Sequence, residues 1–278
     1  MDDQVASKID IVHSVLRGKA VIVAFSGGVD SSVMVSLAKD VCRKVLAVTV
    51  DSPIIPPEEK ENAERVAREL EVEHAVVWFD SLGDPQFVAN PANRCYYCKK
   101  KLFQNLKKLA EERGYELVVE GSNASDMFVH RPGILALREE GILSPYIIAG
   151  ITKEEIRIIA RDRGLSVSNQ PSMACLATRI PYGEVITYEK LRRVAESERY
   201  IKQLVGVKIL RVRSHGDLAR IEVGKEEREK LFSTEILDKI VEKLKELGFK
   251  YCTLDAEGYR TGAMDEVLKG KTTIPTSK

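Results

Sequence analysis

The 278-residue sequence has almost no net charge: 43 Lys and Arg stand against 42 Asp and Glu, a formal balance of +1. It therefore lacks the cationic field that draws a nucleic-acid backbone or an anionic bilayer, and neither is an expected partner. Any run of about 18 apolar residues is also missing, so no membrane-spanning helix is expected. The opening MDDQVASKID has no basic segment followed by an apolar one, so no secretory leader is read and a cytoplasmic protein is expected. Cysteine is sparse and odd in number: Cys42, Cys95, Cys98, Cys175 and Cys252. In a cytoplasmic chain such a set points to packing thiols, metal ligands or reactive sulfur before disulfides. His13, His74, His130 and His215 show no metal-ligand spacing, and Trp78, the single tryptophan, ends an apolar run without a further signal. There is no internal repeat or low-complexity tract.

What is present alternates. AVIVAF (20–25), KVLAVTV (44–50), EHAVVWF (73–79) and ELVVEG (116–121) read as strands, separated by helices over 30–41, to about Leu70, and from about Cys95 to Arg113. Strands alternating with helices predict an α/β fold with a parallel, doubly wound sheet. Thr152 and Glu155 form a capping box that starts a helix over 152–164. Residues 165–187 are irregular, and the boundary between two domains, 1–187 and 188–278, is placed at their end. The second domain reads as a smaller α+β module. It has a helix over 188–204, a hairpin of VKILRVRS and LARIEV around His215-Gly216-Asp217, a charged helix from about 225 to 247, and a closing strand YCTLDAEG (251–258). The tail KGKTTIPTSK is expected to fray.

Between the first strand and its helix lies Ser26-Gly27-Gly28-Val29-Asp30-Ser31-Ser32. Two glycines let the backbone approach an anion, a helix N-terminus offers its N–H groups, and three serines add hydroxyl donors. The lysine of a GxxxxGK loop is missing, so this is not the kinase- or GTPase-type cradle. A Gly-Gly turn with a serine cap is the bland account of the glycines alone. The whole string resembles the PP-loop of ATP pyrophosphatases. That resemblance implies cleavage of ATP between its α and β phosphates, with the loop holding pyrophosphate and Asp30 helping to hold Mg²⁺. AMP passes to an oxygen of the substrate, to be displaced by nitrogen or sulfur. Gly121-Ser122-Asn123-Ala124-Ser125-Asp126 follows the fourth strand at its carboxyl end, where ligands sit in open α/β sheets. Gly121, Asn123 and Asp126 are accordingly read as ATP or Mg²⁺ contacts, against the plainer reading of a Gly-Asn turn. Asp51-Ser52, after the second strand, has the position to meet adenosine.

Cys95-Tyr96-Tyr97-Cys98 puts two thiols at a helix start with Lys99, Lys100 and Lys101 behind them, an environment that favours thiolate. Alone, the pair fits a redox couple, half a zinc site or chemistry the spacing leaves unexplained, and is too few for a closed metal site. Cys175 lies in the irregular stretch, beside Arg179, and is the better reactive candidate; Cys42 and Cys252 sit in apolar elements and read as packing thiols. The string SMACLATRIPYG around Cys175, with the PP-loop, GSNASD and RVRSHGDLARIEV, resembles the LarE family over nearly the whole chain.

LarE-type enzymes are sulfur transferases of nickel-pincer nucleotide cofactor synthesis, so the resemblance implies adenylation of a carboxylate of pyridinium-3,5-biscarboxylic acid mononucleotide and its conversion to a thiocarboxylate. It implies a 4Fe–4S cluster on Cys95, Cys98 and Cys175, whose fourth iron carries a sulfide; the family's other route sacrifices the sulfur of the loop cysteine. It also implies self-association into a homo-oligomer, with the second domain serving substrate binding and oligomerisation. Arg211 and Arg213 share a face of their strand and suit a phosphate, although two solvent-facing arginines are the commoner case. The resemblance lifts them to ligands of the mononucleotide phosphate and places Glu198 at the active site. Arg179 is read as a partner for substrate carboxylate or phosphate. The competing readings are a zinc site, a PP-loop tRNA thiolase, an ammonia-dependent ligase, and a metal-binding module with a vestigial nucleotide site.

Overall fold

The computed structural model describes residues 3–128, 132–170 and 174–268. His130, the first residues of the SMACLATRIPYG string and the tail expected to fray lie outside them. Along the chain run α1 (Asp3–Leu16), β1 (Ala20–Ala24), α2 (Val29–Val41), β2 (Lys44–Asp51), α3 (Pro57–Glu69) and β3 (Glu73–Trp78). The short turn α4 (Pro85–Val88), then α5 (Arg94–Arg113), β4 (Leu117–Val119), α6 (Pro132–Glu139), α7 (Pro145–Ala149) and α8 (Lys153–Asp162) follow. The described residues fall into two compact units. One runs through Phe87 and resumes at Asn93; the other takes Val88–Ala92 and what is described from Ala174 onward.

In the first unit β1 feeds two cores: Val21 and Val23 pack into one cluster, Ala20 and Ile22 into another. A strand dry on both faces must be covered by helices on both sides. On one side Val12 of α1, Leu37 of α2, Val66 of α3 and Ile159 of α8 close the first core. On the other, Phe103 and Leu106 of α5 and Leu137 of α6 close the second. The four strands are parallel, in the order β3-β2-β1-β4. Succession from β1 runs outward through β2 to β3 and then crosses to β4 on the other side of β1. The order therefore reverses between β1 and β4, the position at whose carboxyl ends open α/β sheets bind ligands.

The second unit comprises α9 (Tyr188–Val205), β5 (Leu210–His215), β6 (Leu218–Val223), α10 (Thr234–Glu246) and β7 (Tyr251–Leu254). β5 and β6 form the expected hairpin, antiparallel, with His215 paired to Leu218 inside the ladder rather than in the turn. β7 joins β6 in parallel, so the sheet is mixed. One sheet face packs Leu210, Val212, Ile221 and Val223 against Ile201 of α9 and Ile240 and Leu244 of α10. The architecture is thus α/β with a smaller α+β part.

The charged helix expected over 225–247 is interrupted. Residues Lys225–Leu231 form a 3₁₀ segment, and α10 restarts after Ser233, whose Oγ accepts from the Ile236 amide at 3.1 Å. The Glu227 carboxylate accepts the backbone amides of Lys208 and Ile209 (3.0 and 3.2 Å), a long-range anchor that pins the first segment. Among the described residues no helix is long and apolar enough to cross a membrane.

Candidate active site

The loop after β1 turns sharply at Gly27, whose φ is +69°. A Cβ at Gly27 would lie 2.6 Å from the Ala63 Cα of α3, so both the conformation and the space require glycine. The Gly27 carbonyl accepts from Asn62 Nδ2 at 3.0 Å. The serines tie the turn to itself: the Ser31 hydroxyl donates to the Gly28 carbonyl (3.1 Å), and its oxygen accepts the Ser26 amide (3.2 Å). The Gly28 amide in turn donates to Ser26 Oγ at 3.3 Å. Gly28 caps α2 without a side-chain bond, which leaves the first-turn amides beyond the reach of an intrahelical partner. Ser32, fully buried, has an Oγ with no partner among the described residues. A hydroxyl buried without a partner costs about 1–3 kcal/mol unless something else satisfies it.

Asp30, in the first turn of α2, is where the predicted nucleotide segments meet. Asn123 Nδ2 reaches its carboxylate at 3.4 Å, and a Cβ on Gly121 would lie 3.1 Å from the Asp30 Cβ. The segments after β1 and β4, whose Asp30 and Asn123 are 93 residues apart, thus close on one another at the reversal of strand order. Asp126 holds the second segment in shape by accepting the Asn123 amide at 3.1 Å. At the end of β2, Asp51 pairs with Lys60 Nζ at 2.8 Å, while buried Ser52 donates to Ser81 Oγ at 2.9 Å.

Three further residues build this site, and none was singled out from the sequence. Lys153, the first residue of α8, forms an ion pair with Asp30. The expected capping box fixes it there, with both bonds present: Glu155 amide to Thr152 Oγ1 at 3.3 Å and Thr152 amide to Glu155 Oε2 at 2.7 Å. Tyr146 of α7, fully buried, donates to the Asp30 carbonyl at 2.9 Å; burial, and then the Asp30 charge, push its phenol well above the usual range, so it stays a donor. Glu120, directly after β4, is a buried carboxylate. The signal for Lys153 was available in the capping box, which places a cation at a helix N-terminus against the dipole and so calls for an anion nearby.

Cys95, in the first turn of α5, is exposed and Cys98, three residues on, is half-buried, and their spacing puts them on one helix face. Cys42 packs against the first core with its thiol pushed up to about 11 by burial, and burial also raises Cys252. Both remain protonated thiols, as packing cysteines do. Trp78 is 65% exposed.

In the second unit Cys175 precedes a short 3₁₀ turn, Leu176–Arg179. Its carbonyl accepts Thr178 Oγ1 at 2.8 Å and Arg179 Nη1 at 3.1 Å, and Arg179 Nη1 also donates to Ala174 O at 2.6 Å. Arg179, 2% exposed, is itself held by Glu198 through two bonds of 2.8 and 3.0 Å. Glu198 accepts the Val212 amide of β5 as well, at 3.0 Å. Arg211 and Arg213 do share a face of β5, opposite the core face, and both are 5% exposed. Arg213 forms a two-bond pair with fully buried Glu222 (3.0 and 2.7 Å) and donates to Thr178 O at 3.0 Å. The Arg211 guanidinium lies 5.1 Å from the Tyr259 ring; burial, with Arg179 adding repulsion, lowers its pKa. These charges form a buried lattice under the Cys175 turn, where the sequence pattern had suggested solvent or ligand contact.

The sequence is 34% identical to the pyridinium-3,5-bisthiocarboxylic acid mononucleotide synthase of Lactiplantibacillus plantarum, over 94% of both chains. The chain belongs to the LarE family. It is also 41% identical to the uncharacterized protein slr1717 of Synechocystis, over 89% of this chain and 92% of that one. A lower likeness, 27% over 68% of this chain and 61% of the other, links this LarE-family member to the tRNA-specific 2-thiouridylase MnmA of Geobacter metallireducens. The model of the queuosine biosynthesis protein QueC family matches residues 19–90, which span β1, the glycine turn after it, β2 and β3. Among the described residues of this LarE-family chain, no three His, Cys, Asp or Glu side chains gather as a metal site.

Proposed function

We propose that this chain is an ATP-dependent sulfur transferase that adenylates a carboxylate of pyridinium-3,5-biscarboxylic acid mononucleotide and converts it into a thiocarboxylate for nickel-pincer cofactor synthesis. A carboxylate oxygen attacks the α-phosphorus of ATP and pyrophosphate leaves. A sulfur nucleophile then attacks the acyl carbon, and AMP departs with the oxygen. Adenylation thus replaces a poor oxide leaving group by a good one. The observation that carries this reading is the closure of the loop after β1 on the segment after β4, at Asp30, in a chain alike over nearly its whole length to a synthase of the bisthiocarboxylic acid mononucleotide.

The loop fits pyrophosphate: the glycine turn admits it, the α2 N-terminus supplies amides, and a phosphate oxygen would satisfy the buried Ser32 hydroxyl. Lys153 supplies the cation that a GxxxxGK loop carries within itself. Asp30 would hold Mg²⁺, which favours carboxylate and phosphate oxygens. Lys153→Met is expected to raise the KM for ATP by about tenfold, as for one charge-assisted phosphate contact. Pyrophosphate formation against ATP concentration checks it, and an unchanged KM would remove Lys153 from the site.

Cys95, Cys98 and Cys175 would hold the 4Fe–4S cluster: their thiols are the donors such a cluster takes, and three leave one iron open. When bound, that iron supplies the sulfide that is transferred. Arg211 and Arg213, on one face of β5, contribute charge for the mononucleotide phosphate, and Arg179 with Glu198 fixes the Cys175 turn. Thiol chemistry of this kind fits a reducing cytoplasm. The test is iron and acid-labile sulfide after anaerobic purification. About four of each per chain, lost in Cys95→Ala, is the expected result. Neither element, with Cys175 consumed in one turnover, would assign the sulfur to Cys175 itself.

A further inference from the structure

Glu120 is a buried carboxylate that the reaction above does not use. It is 7% exposed, at the first position beyond β4. Its oxygens accept the Ser122 amide (3.0 Å), the Ser122 hydroxyl (2.7 Å) and the Ser144 hydroxyl. All three are donors, spread over both carboxylate oxygens, so they satisfy its lone pairs but bring no opposite charge to a buried carboxylate. The cation facing it is Lys99, whose Nζ lies 4.0 Å from Glu120 Oε2.

Lys99 follows Cys98 on α5, and its path to Glu120 is shaped. A Cβ on Gly133 of α6 would stand 2.6 Å from Lys99 Cδ, so the side chain runs directly over Gly133 and would have to shift to admit a larger residue there. The helix is held in that orientation by Tyr96 and Lys100, which both reach Glu139 of α6 at 2.7 Å. The path ends at Glu120, whose neighbour packs on the first turn of α2. Gly121, the neighbour of Glu120, packs so closely on α2 that a Cβ there would meet Asp30 Cβ at 3.1 Å and the Ser31 amide nitrogen at 3.3 Å. The pair therefore joins the helix of the thiols to the edge of the adenylation site.

We propose that Glu120 is a positioning residue that holds the Lys99 ammonium at the carboxyl end of β4, where Lys99 supplies positive charge to the carboxylate and α-phosphate as they react. It rests on the adenylation reading of the preceding subsection. Lys153 and Lys99 are then two cations of the site, each paired with a carboxylate, Asp30 and Glu120.

The test is a double-mutant cycle on pyrophosphate formation. Glu120→Gln keeps the size of the side chain and one acceptor oxygen, turns the other oxygen into a donor, and removes the charge. It is expected to lower kcat about tenfold with the KM for ATP within about twofold, and to change kcat less than about twofold in a Lys99→Met background. Equal losses in both backgrounds would show that Glu120 only shapes the Ser122–Ser144 turns and would overturn the proposal, as would an unimpaired Glu120→Gln. Acylation of Lys99 by an amine reagent, mapped by mass spectrometry, reads the pair without the reaction and is expected to rise in Glu120→Gln. A wild type that forms no pyrophosphate, with Lys99 protection intact, would instead sink the adenylation reading and the catalytic part of this proposal with it.

Discussion

Asp30→Ala is expected to lower pyrophosphate formation by about 10²–10³-fold, the loss typical of removing one group that stabilises charge in the reacting complex. Asp30 is the point at which Asn123, Lys153 and the backbone packing of Gly121 converge, so no other carboxylate on α2 can replace it. Its removal leaves the fold in place. The Tyr146 bond goes to the Asp30 carbonyl, which alanine retains, and an ion pair that still reaches solvent contributes only about 1 kcal/mol. Iron and sulfide content should also be unchanged, because the cysteines lie on other elements. Loss of the cluster with adenylation retained would contradict the assignment of Asp30.

The second large effect is on stability. Glu198→Ala removes the partner of an arginine that is 2% exposed and strips the acceptor from the Val212 amide. Breaking a buried pair from one side strands a charge and costs about 3–5 kcal/mol. Trp78 belongs to the first unit, so tryptophan fluorescence does not follow this region. Hydrogen exchange of the β5 and β6 amides does, and it should accelerate roughly 10²–10³-fold or more. Replacing both partners, in Arg179→Met with Glu198→Met, should recover most of the loss, since a packed apolar pair is often as stable as a buried ionic one. Exchange unchanged in Glu198→Ala would mean that the pair does not hold the Cys175 turn on β5.

What the sequence showed well was local. The PP-loop is legible because the buried run of β1 and the conformation of Gly27 are written in adjacent residues, and the Thr152–Glu155 box because it spans one helical turn. The period of a strand placed Arg211 and Arg213 on one face correctly. Their burial was not legible, since it depends on the register that sets Glu222 opposite Arg211 and on the Cys175 turn lying over them. The pairs Asp30–Lys153 and Glu120–Lys99 join residues far apart in the chain, and each lysine alone resembles any solvated helix residue. The same cause divided the helix expected over 225–247: Glu227 binds amides at Lys208 and Ile209, outside any helical window.

The most direct test of the central claim is an anaerobic assay of the reduced protein with ATP, Mg²⁺ and sulfide, with and without pyridinium-3,5-biscarboxylic acid mononucleotide. The account predicts AMP and pyrophosphate in equal amounts only when the mononucleotide is present, with one carboxylate oxygen replaced by sulfur in the product seen by mass spectrometry. Pyrophosphate release that ignores the mononucleotide but responds to tRNA, or to ammonia with another acid, would contradict it.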